Sequence, residues 1–492
     1  MLILTYNIII IKNIEKRYID IKTPIYNKLK ELSQHQVVDF QFPGHRKRTF
    51  DGLDYNLLPM FDTTETFGTD NLHSPEGIIE ESMEEIARVY GVKHSLYVVN
   101  GSTGALHIAL MSATNPGDRI LIQRNSHIGV YNGAILSGLD VEYLMPYYDQ
   151  ENQVVGDLKK EEVLKVLSEN EDVKAIVLLH PSFYGICGNL KEIIDICHER
   201  NIIVIVDEAH GPHMYFNDRL PKSACELGAD LIIHSSHKTL PAMTQTALLH
   251  VNSDRVDIDD VRLMSRMLQT TSPSYIFMTN TELAVNFTDS ENGRKRLSDI
   301  CEAIDELEEK LSNVKGIHVL SRKQDELFYS RDFTKLMIEI EGIKGARLRN
   351  ILHEDYSIDM EYADLRHVIG IVTLMNTRED IVKLYEAILD INENYEKIKI
   401  HEFENPLIRP DVVMSISKAF YANSEILKLE DAVGRISASY INPYPPGIPQ
   451  LAPGERITKE HLDLVKELSE VGISIVGLKG KDKNLIKVVV EE

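Results

Sequence analysis

Short apolar runs alternate with helical periodicity through the first 250 residues of this chain. Leu96–Val99, Ile120–Ile122, Val141–Leu144, Ala175–Leu179, Ile202–Val206 and Asp230–His234 are short, mostly apolar stretches and read as strands. The segments between them mostly carry the spacing of amphipathic helices, as in Ile78–Tyr90 after a Ser74–Pro75 start signal. Strands of this kind separated by helices predict a mainly parallel sheet covered on both faces, an α/β architecture. Ligands of such sheets bind beyond the carboxyl ends of the strands. The stretch "IIVIVDEAHGPH", Ile202–His213, runs from a strand straight into Asp207, Glu208, His210 and His213, and so delivers them to that edge.

The texture changes near residue 290. A charged helix over Arg294–Ser312 precedes strands at Lys335–Ile340 and Val368–Leu374 and a helix near Glu379–Ile391. From about residue 400 a helical stretch leads into the proline-rich "INPYPPGIPQLAPGE", then a helix near Thr458–Glu470 and two closing strands. The expected division is an N-terminal arm (1–40), a large domain (41–290), a small α/β domain (291–400) and a C-terminal α+β domain (401–492).

Composition narrows the function. With 492 residues, 43% of them hydrophobic, the chain can bury a large core in more than one domain. The apolar run in "MLILTYNIIIIKN" is shorter than the roughly 20 residues that span a bilayer, and reads as an N-terminal strand or arm. No signal-peptide pattern follows it, so a cytoplasmic protein without a membrane partner is expected. The net charge of −23 argues against nucleic acid and suits a cationic small molecule, although acidity also serves solubility. Cys187, Cys197, Cys225 and Cys301 lack CxxC spacing, so neither a disulfide framework nor a zinc ribbon is indicated.

Three chemistries compete for the Asp–Glu–Ala–His tetrad. A nucleotide-driven motor also needs a GxxxxGK[ST] phosphate loop, and the chain has none; "NGSTGALH" lacks the lysine. A zinc or manganese site could use His210 and His213 beside Asp207 and Glu208, but no HExxH pattern supports it. A histidine merely hydrogen-bonded in a polar cleft is the plainer account, above all for His213. The third chemistry draws on "HSSHKTLPAMTQTALLH", where Lys238 follows an apolar strand among small polar residues. A desolvated lysine loses proton affinity and becomes a nucleophile toward carbonyls, as a pyridoxal phosphate Schiff base requires. Ser235 and His237 would present phosphate donors from the same turn. Upstream, Asn100–Gly101 turns out of a strand and Ser102–Thr103 open a helix whose free amides suit an anion.

Together, "VDEAHGPH", "HSSHKTLPAMTQTALLH", "LQTTSPSY" and "YPPGIPQLAPGE" resemble the bacterial ornithine/lysine/arginine decarboxylases, and the resemblance runs from Thr23–Arg46 nearly to the C-terminus. The length resembles the shorter, Bacillus-type arginine decarboxylase branch without an N-terminal wing domain. The resemblance implies an aspartate-aminotransferase-like fold of pyridoxal phosphate fold type I, with pyridoxal 5'-phosphate as cofactor. It assigns Lys238 as the lysine carrying the cofactor and Asp207 as partner of the ring nitrogen. Ala209 would lie under one ring face and His127 would stack on the other. Ser102, Thr103, Ser235 and His237 would hold the phosphate. His210 would sit near the substrate carboxylate or the cofactor hydroxyl, and Glu455 near the substrate amine at a subunit interface.

Two departures stand out. "HIG" (His127–Gly129) replaces a more usual basic residue after the stacking histidine, and "SFYGICGN" after Pro181 differs from a threonine-tyrosine pattern. Both are expected to alter the pocket wall. The implied activity is decarboxylation of a basic amino acid, arginine before lysine or ornithine, giving agmatine and carbon dioxide for polyamine synthesis by a homodimer or larger assembly. Transamination and a non-catalytic regulatory role are the rivals. The first normally needs a C-terminal-domain arginine for the substrate carboxylate, which was not identifiable, and the second leaves an intact set of chemical groups without a use.

Overall fold

The computed structural model describes residues 37–49, 58–320, 328–398, 400, 407–444, 447–470, 474–480 and 483–490. The opening apolar run and most of the expected arm lie outside these residues. The six strands read from the sequence are all present, with bounds shifted by one or two residues: His94–Val98 (β1), Arg119–Gln123 (β2), Asp140–Leu144 (β3), Val173–Leu179 (β4), Ile203–Asp207 (β5) and Leu231–His234 (β6). A seventh, Ala247–Val251 (β7), joins them in one sheet of order β1-β7-β6-β5-β4-β2-β3. Strand β7 runs antiparallel to both neighbours, while the remaining pairings are parallel. Its sequence, Ala-Leu-Leu-His-Val, is poor in β-branched residues, and it is strand only because β1 and β6 pair with it on either side. Every residue of β5, β6 and β7 is buried, so both faces of the sheet are covered.

The helix over Ile78–Tyr90 occupies the expected residues, but Ser74–Pro75 does not cap it. The Asp70 carboxylate does so from further upstream, accepting from the backbone N–H of Gly77 and Ile79, both at 3.0 Å. A second sheet follows, built from Ile317–Val319 (β8), Lys335–Ile340 (β9), Tyr362–Ala363 (β10) and His367–Ile371 (β11), antiparallel in the order β8-β9-β11-β10. Strand β11 stops short of the expected Leu374, because Thr373–Asn376 forms a turn closed by Asn376 N–H donating to Thr373 O at 3.0 Å. The stretch after residue 400 is less helical than expected. Among the described residues it holds one short helix, Ile416–Tyr421, before the strand Ser424–Lys428, which pairs with Leu485–Val489.

Val38–Phe40 pairs in parallel with Ile358–Met360 in a separate two-stranded sheet, tying the segment before residue 49 to the chain just ahead of β10. From there the chain crosses to the carboxyl edge of the large sheet. Among the described residues, no helix is long and apolar enough to cross a membrane.

Candidate active site

Strand β5 is the middle strand of seven and ends on Asp207; its neighbour β6 leads into the turn holding Ser235, His237 and Lys238. Parallel pairing, with Ile233 opposite Asp207, therefore sets Asp207 and the lysine side by side at one edge of the sheet. They line a cavity of about 240 Å³ together with Ser102, His127, Ala209 and His210. Thr103, Ser235 and His237 stand beside this cavity rather than in its wall. Ser235 is fully buried, and its Oγ lies 3.3 Å from His237 Nδ1, which also meets Thr246 O at 3.2 Å. With the Nδ1 proton directed at those two oxygens, the Ser235 hydroxyl proton remains to be donated elsewhere.

Burial governs the charges here. It pushes Lys238 below the usual lysine range, and Lys335 adds to that, while Asp207 and Glu361 pull the other way. Burial raises Asp207 despite Lys238 nearby and despite a hydrogen bond from Ala209 N–H at 3.2 Å. A buried carboxylate with so little support is built to meet a cation. His127 is pushed down to about 4 by burial and then by Lys238, so it is neutral. Its Nδ1 accepts from Gly129 N–H at 3.0 Å as the cap of the helix Ile128–Ser137, which leaves the proton on Nε2. A side chain at residue 129 would press to within 3.1 Å of that nitrogen, so the glycine of "HIG" lets the ring sit where it does.

His210 is buried and neutral, held well below the ordinary histidine range by burial and then by Lys238 and Lys335. Lys238 Nζ lies 2.9 Å from His210 Nε2. No described residue partners His210 Nδ1. Phe42 and Phe183 close on the ring edge-to-face, with centroids 5.4 and 5.6 Å away. Phe183 comes from the departing "SFYGICGN" segment, which therefore does shape the wall.

Several lining residues were not read from the sequence: Phe42, Asn125, Phe183, Glu361 and Ile448. Asn125 left a signal, since it stands two residues before His127 at the carboxyl end of β2. Phe42 and Glu361 left none; the Glu361 carboxylate accepts from Phe42 N–H at 2.7 Å and so joins two distant segments. Next to Phe42, Gly44 N–H donates to His237 O at 2.7 Å. A Cβ on Gly44 would lie 2.5 Å from Leu240 O and 2.9 Å from Lys238 O, so only glycine permits this crossing.

Glu455 does not face the cavity within the chain. Its carboxylate grips Arg124 with Oε1 at 2.6 Å from Nη1 and Oε2 at 3.0 Å from Nη2, and it accepts Ala452 N–H at 3.0 Å. Both side chains are buried, and the proline-rich motif sends Ile448 into the cavity instead. Breaking a buried ion pair leaves an uncompensated charge, so Glu455→Ala should destabilise the fold by about 3–5 kcal/mol. Chemical unfolding measures this, and a Glu455→Ala/Arg124→Met double variant should recover most of the loss. Unchanged stability with weakened substrate binding would return Glu455 to the substrate.

The metal alternative does not assemble. His210 meets Lys238, whereas His213 Nε2 turns to Thr334 Oγ1 at 3.0 Å and Asp332 Oδ1 at 3.3 Å. Glu208 is a buried strut: it accepts from Ser223 Oγ at 2.6 Å and Ala224 N–H at 2.5 Å, and burial pushes it up to about 7. Cys225, His234 and His250 do cluster behind it, but the ring nitrogens already bond to one another (3.0 Å), to Ser95 (2.7 Å) and to Glu208 (3.3 Å). Burial also keeps Cys225 a thiol.

The cavity offers a buried amine at Lys238 to a carbonyl and a buried carboxylate at Asp207 to a cation. The buried Asn125 Oδ1, Ser126 Oγ, Ser236 Oγ and His210 Nδ1 have no hydrogen-bond partner among the described residues and sit in or beside it.

The chain is similar to known proteins over nearly its whole length. The family model for the Orn/Lys/Arg decarboxylase major domain matches residues 23–339, and that for the C-terminal domain matches residues 393–479. The chain is 31% identical over 486 residues to an arginine decarboxylase of Bacillus subtilis (strain 168), covering 96% of this chain and 98% of the relative. It is 30% identical over 487 residues to an arginine decarboxylase of Bacillus anthracis, with the same two coverages. Among solved structures, the Francisella novicida lysine decarboxylase LdcF superposes with a TM-score of 0.77 at 19% identity, over 92% of this chain and 82% of that one. The ureidoglycine–glyoxylate aminotransferase of Bacillus subtilis superposes with a TM-score of 0.55 at 17% identity, over 74% and 95%. Identities this low establish the fold alone, which is pyridoxal phosphate fold type I.

Proposed function

We propose, for a chain that belongs to the Orn/Lys/Arg decarboxylase family, that it decarboxylates arginine to agmatine. Members of this family are pyridoxal-phosphate-dependent carboxy-lyases acting on basic amino acids, and this chain is one of them. The observation that carries the site is the pairing of Lys238 and Asp207 at adjacent strand ends in one cavity, with His127 and Ala209 in its walls. The preference for arginine is supported by full-length similarity to the two Bacillus enzymes.

The bound cofactor supplies an electron sink for the pair released when carbon dioxide leaves. The chain's own residues prepare for it. Burial lowers the proton affinity of the Lys238 amine, which favours its attack on a carbonyl, and Asp207 would hold the ring nitrogen and favour its protonated form. We read His127 and Ala209 as the two ring faces, and Ser102, Thr103, Ser235 and His237 as phosphate partners. The neutral His237, pushed down to about 4 mainly by burial, directs its Nδ1 proton at Thr246 O and Ser235 Oγ and so leaves the Ser235 hydroxyl proton for the anion. We read the unpartnered His210 Nδ1 as the contact for a substrate carboxylate or the cofactor hydroxyl, while Phe42 and Phe183 keep water from that side. Glu361 adds a second carboxylate to the wall and favours a cationic substrate.

We further read residues 41–290 as the cofactor domain, 291–400 as the small domain and 401–492 as the C-terminal domain. The separate sheets support this division. A cytoplasmic homodimer serving polyamine synthesis is the setting that suits this activity.

A panel of arginine, lysine, ornithine and diaminopimelate, scored for carbon dioxide and amine product, tests the substrate. Arginine should turn over at least about tenfold better by kcat/KM than the next substrate, a difference of about 1.4 kcal/mol. A preference for lysine or ornithine would move the substrate within the class, and no turnover on any of them would refute it.

A further inference from the structure

Lys335 opens strand β9 of the second sheet, and its side chain is completely buried. A buried ammonium needs partners, and the structure gives it two. Nζ donates to Asp332 Oδ2 at 3.0 Å and to the backbone carbonyl of His210 at 3.1 Å. The other Asp332 oxygen accepts from Thr334 Oγ1 at 2.6 Å and from Thr334 N–H at 3.1 Å, and lies 3.3 Å from His213 Nε2. The second sheet thus holds the "AHGPH" loop at two points, the carbonyl of His210 and the ring of His213. His210 is the residue whose imidazole meets Lys238 at 2.9 Å.

Resting on the reading of Lys238 as the cofactor lysine, we propose that Lys335 is a positioning residue for the decarboxylase reaction. It fixes the His210 backbone from the second sheet, and with it the imidazole against Lys238, and it places a buried positive charge behind that lysine. Its charge disfavours a proton on both Lys238 and His210. Asp207 and Glu361 face Lys238 with the opposite effect, and the neutral His127 and His210 complete its surroundings. Lys335 itself is faced by Asp332, His213, His210 and the Cys187 thiol. Asp332 offsets the ammonium in part, since its carboxylate acts on His210 in the opposite sense.

The test is a pH titration of the visible absorbance of the cofactor–Lys238 linkage in the holoenzyme, with thermal melting as a check on folding. Removing the charge in Lys335→Met favours the protonated linkage, so its pKa should rise by roughly one unit. Turnover of arginine should fall about tenfold, as for a misplaced supporting group. Lys335→Arg keeps the charge and should shift the titration much less than Lys335→Met. Should the single variant fail to fold, Lys335→Met/Asp332→Asn removes both charges together and should still raise the pKa. A folded variant with an unmoved titration, or an arginine variant that shifts as far as the methionine one, would overturn the proposal. A wild-type protein with no visible band would instead overturn the reading of Lys238.

Discussion

Lys238→Ala should lower turnover by roughly 10³-fold or more, at the upper end of what loss of one proton-transferring group costs, and should lose the visible band of bound cofactor. The reason is local. The amine is buried, which lowers its proton affinity, and it is placed by the parallel pairing of β5 and β6 next to Asp207 and His210. Among the described residues no other lysine lines the cavity. The buried Lys335 is held by Asp332 and the His210 carbonyl and cannot replace it. Near-normal carbon dioxide release by the folded variant would remove the proposed chemistry.

Asp207→Ala should reduce kcat by about 10²–10³-fold, the range for deleting one preorganised electrostatic partner of a developing charge. Cofactor content should fall much less, because the phosphate partners and the faces from His127 and Ala209 remain. Asp207 is raised by burial and has a single backbone donor, from Ala209. A cation on the ring nitrogen would offset that burial and favour the ionised carboxylate. Steady-state kinetics beside a cofactor assay separates the two effects. Equal losses of rate and cofactor would make Asp207 an anchor rather than an electronic partner.

The parts legible in the sequence share a physical cause. Strands β1 to β6 are short apolar runs that need no partner to be seen, and Asp207 and Lys238 follow directly from two of them. Strand β7 escaped because its residues are strand-forming only between β1 and β6. The wall of the cavity was less legible, since Phe42, Glu361 and Ile448 reach it from three distant segments that only tertiary packing unites. Lys335 enters the sequence only as the first residue of a strand, and only the fold reveals it as buried. Glu455 was legible in a different way. Resemblance alone pointed it at a substrate, but Arg124, 331 residues earlier in the chain, holds its carboxylate within the subunit.

The most direct test of the central claim is borohydride reduction of the holoenzyme followed by peptide mass mapping. The account predicts one cofactor mass, attached to the peptide that contains Lys238. A label on another lysine, or no label on a folded protein that carries the cofactor, would contradict it.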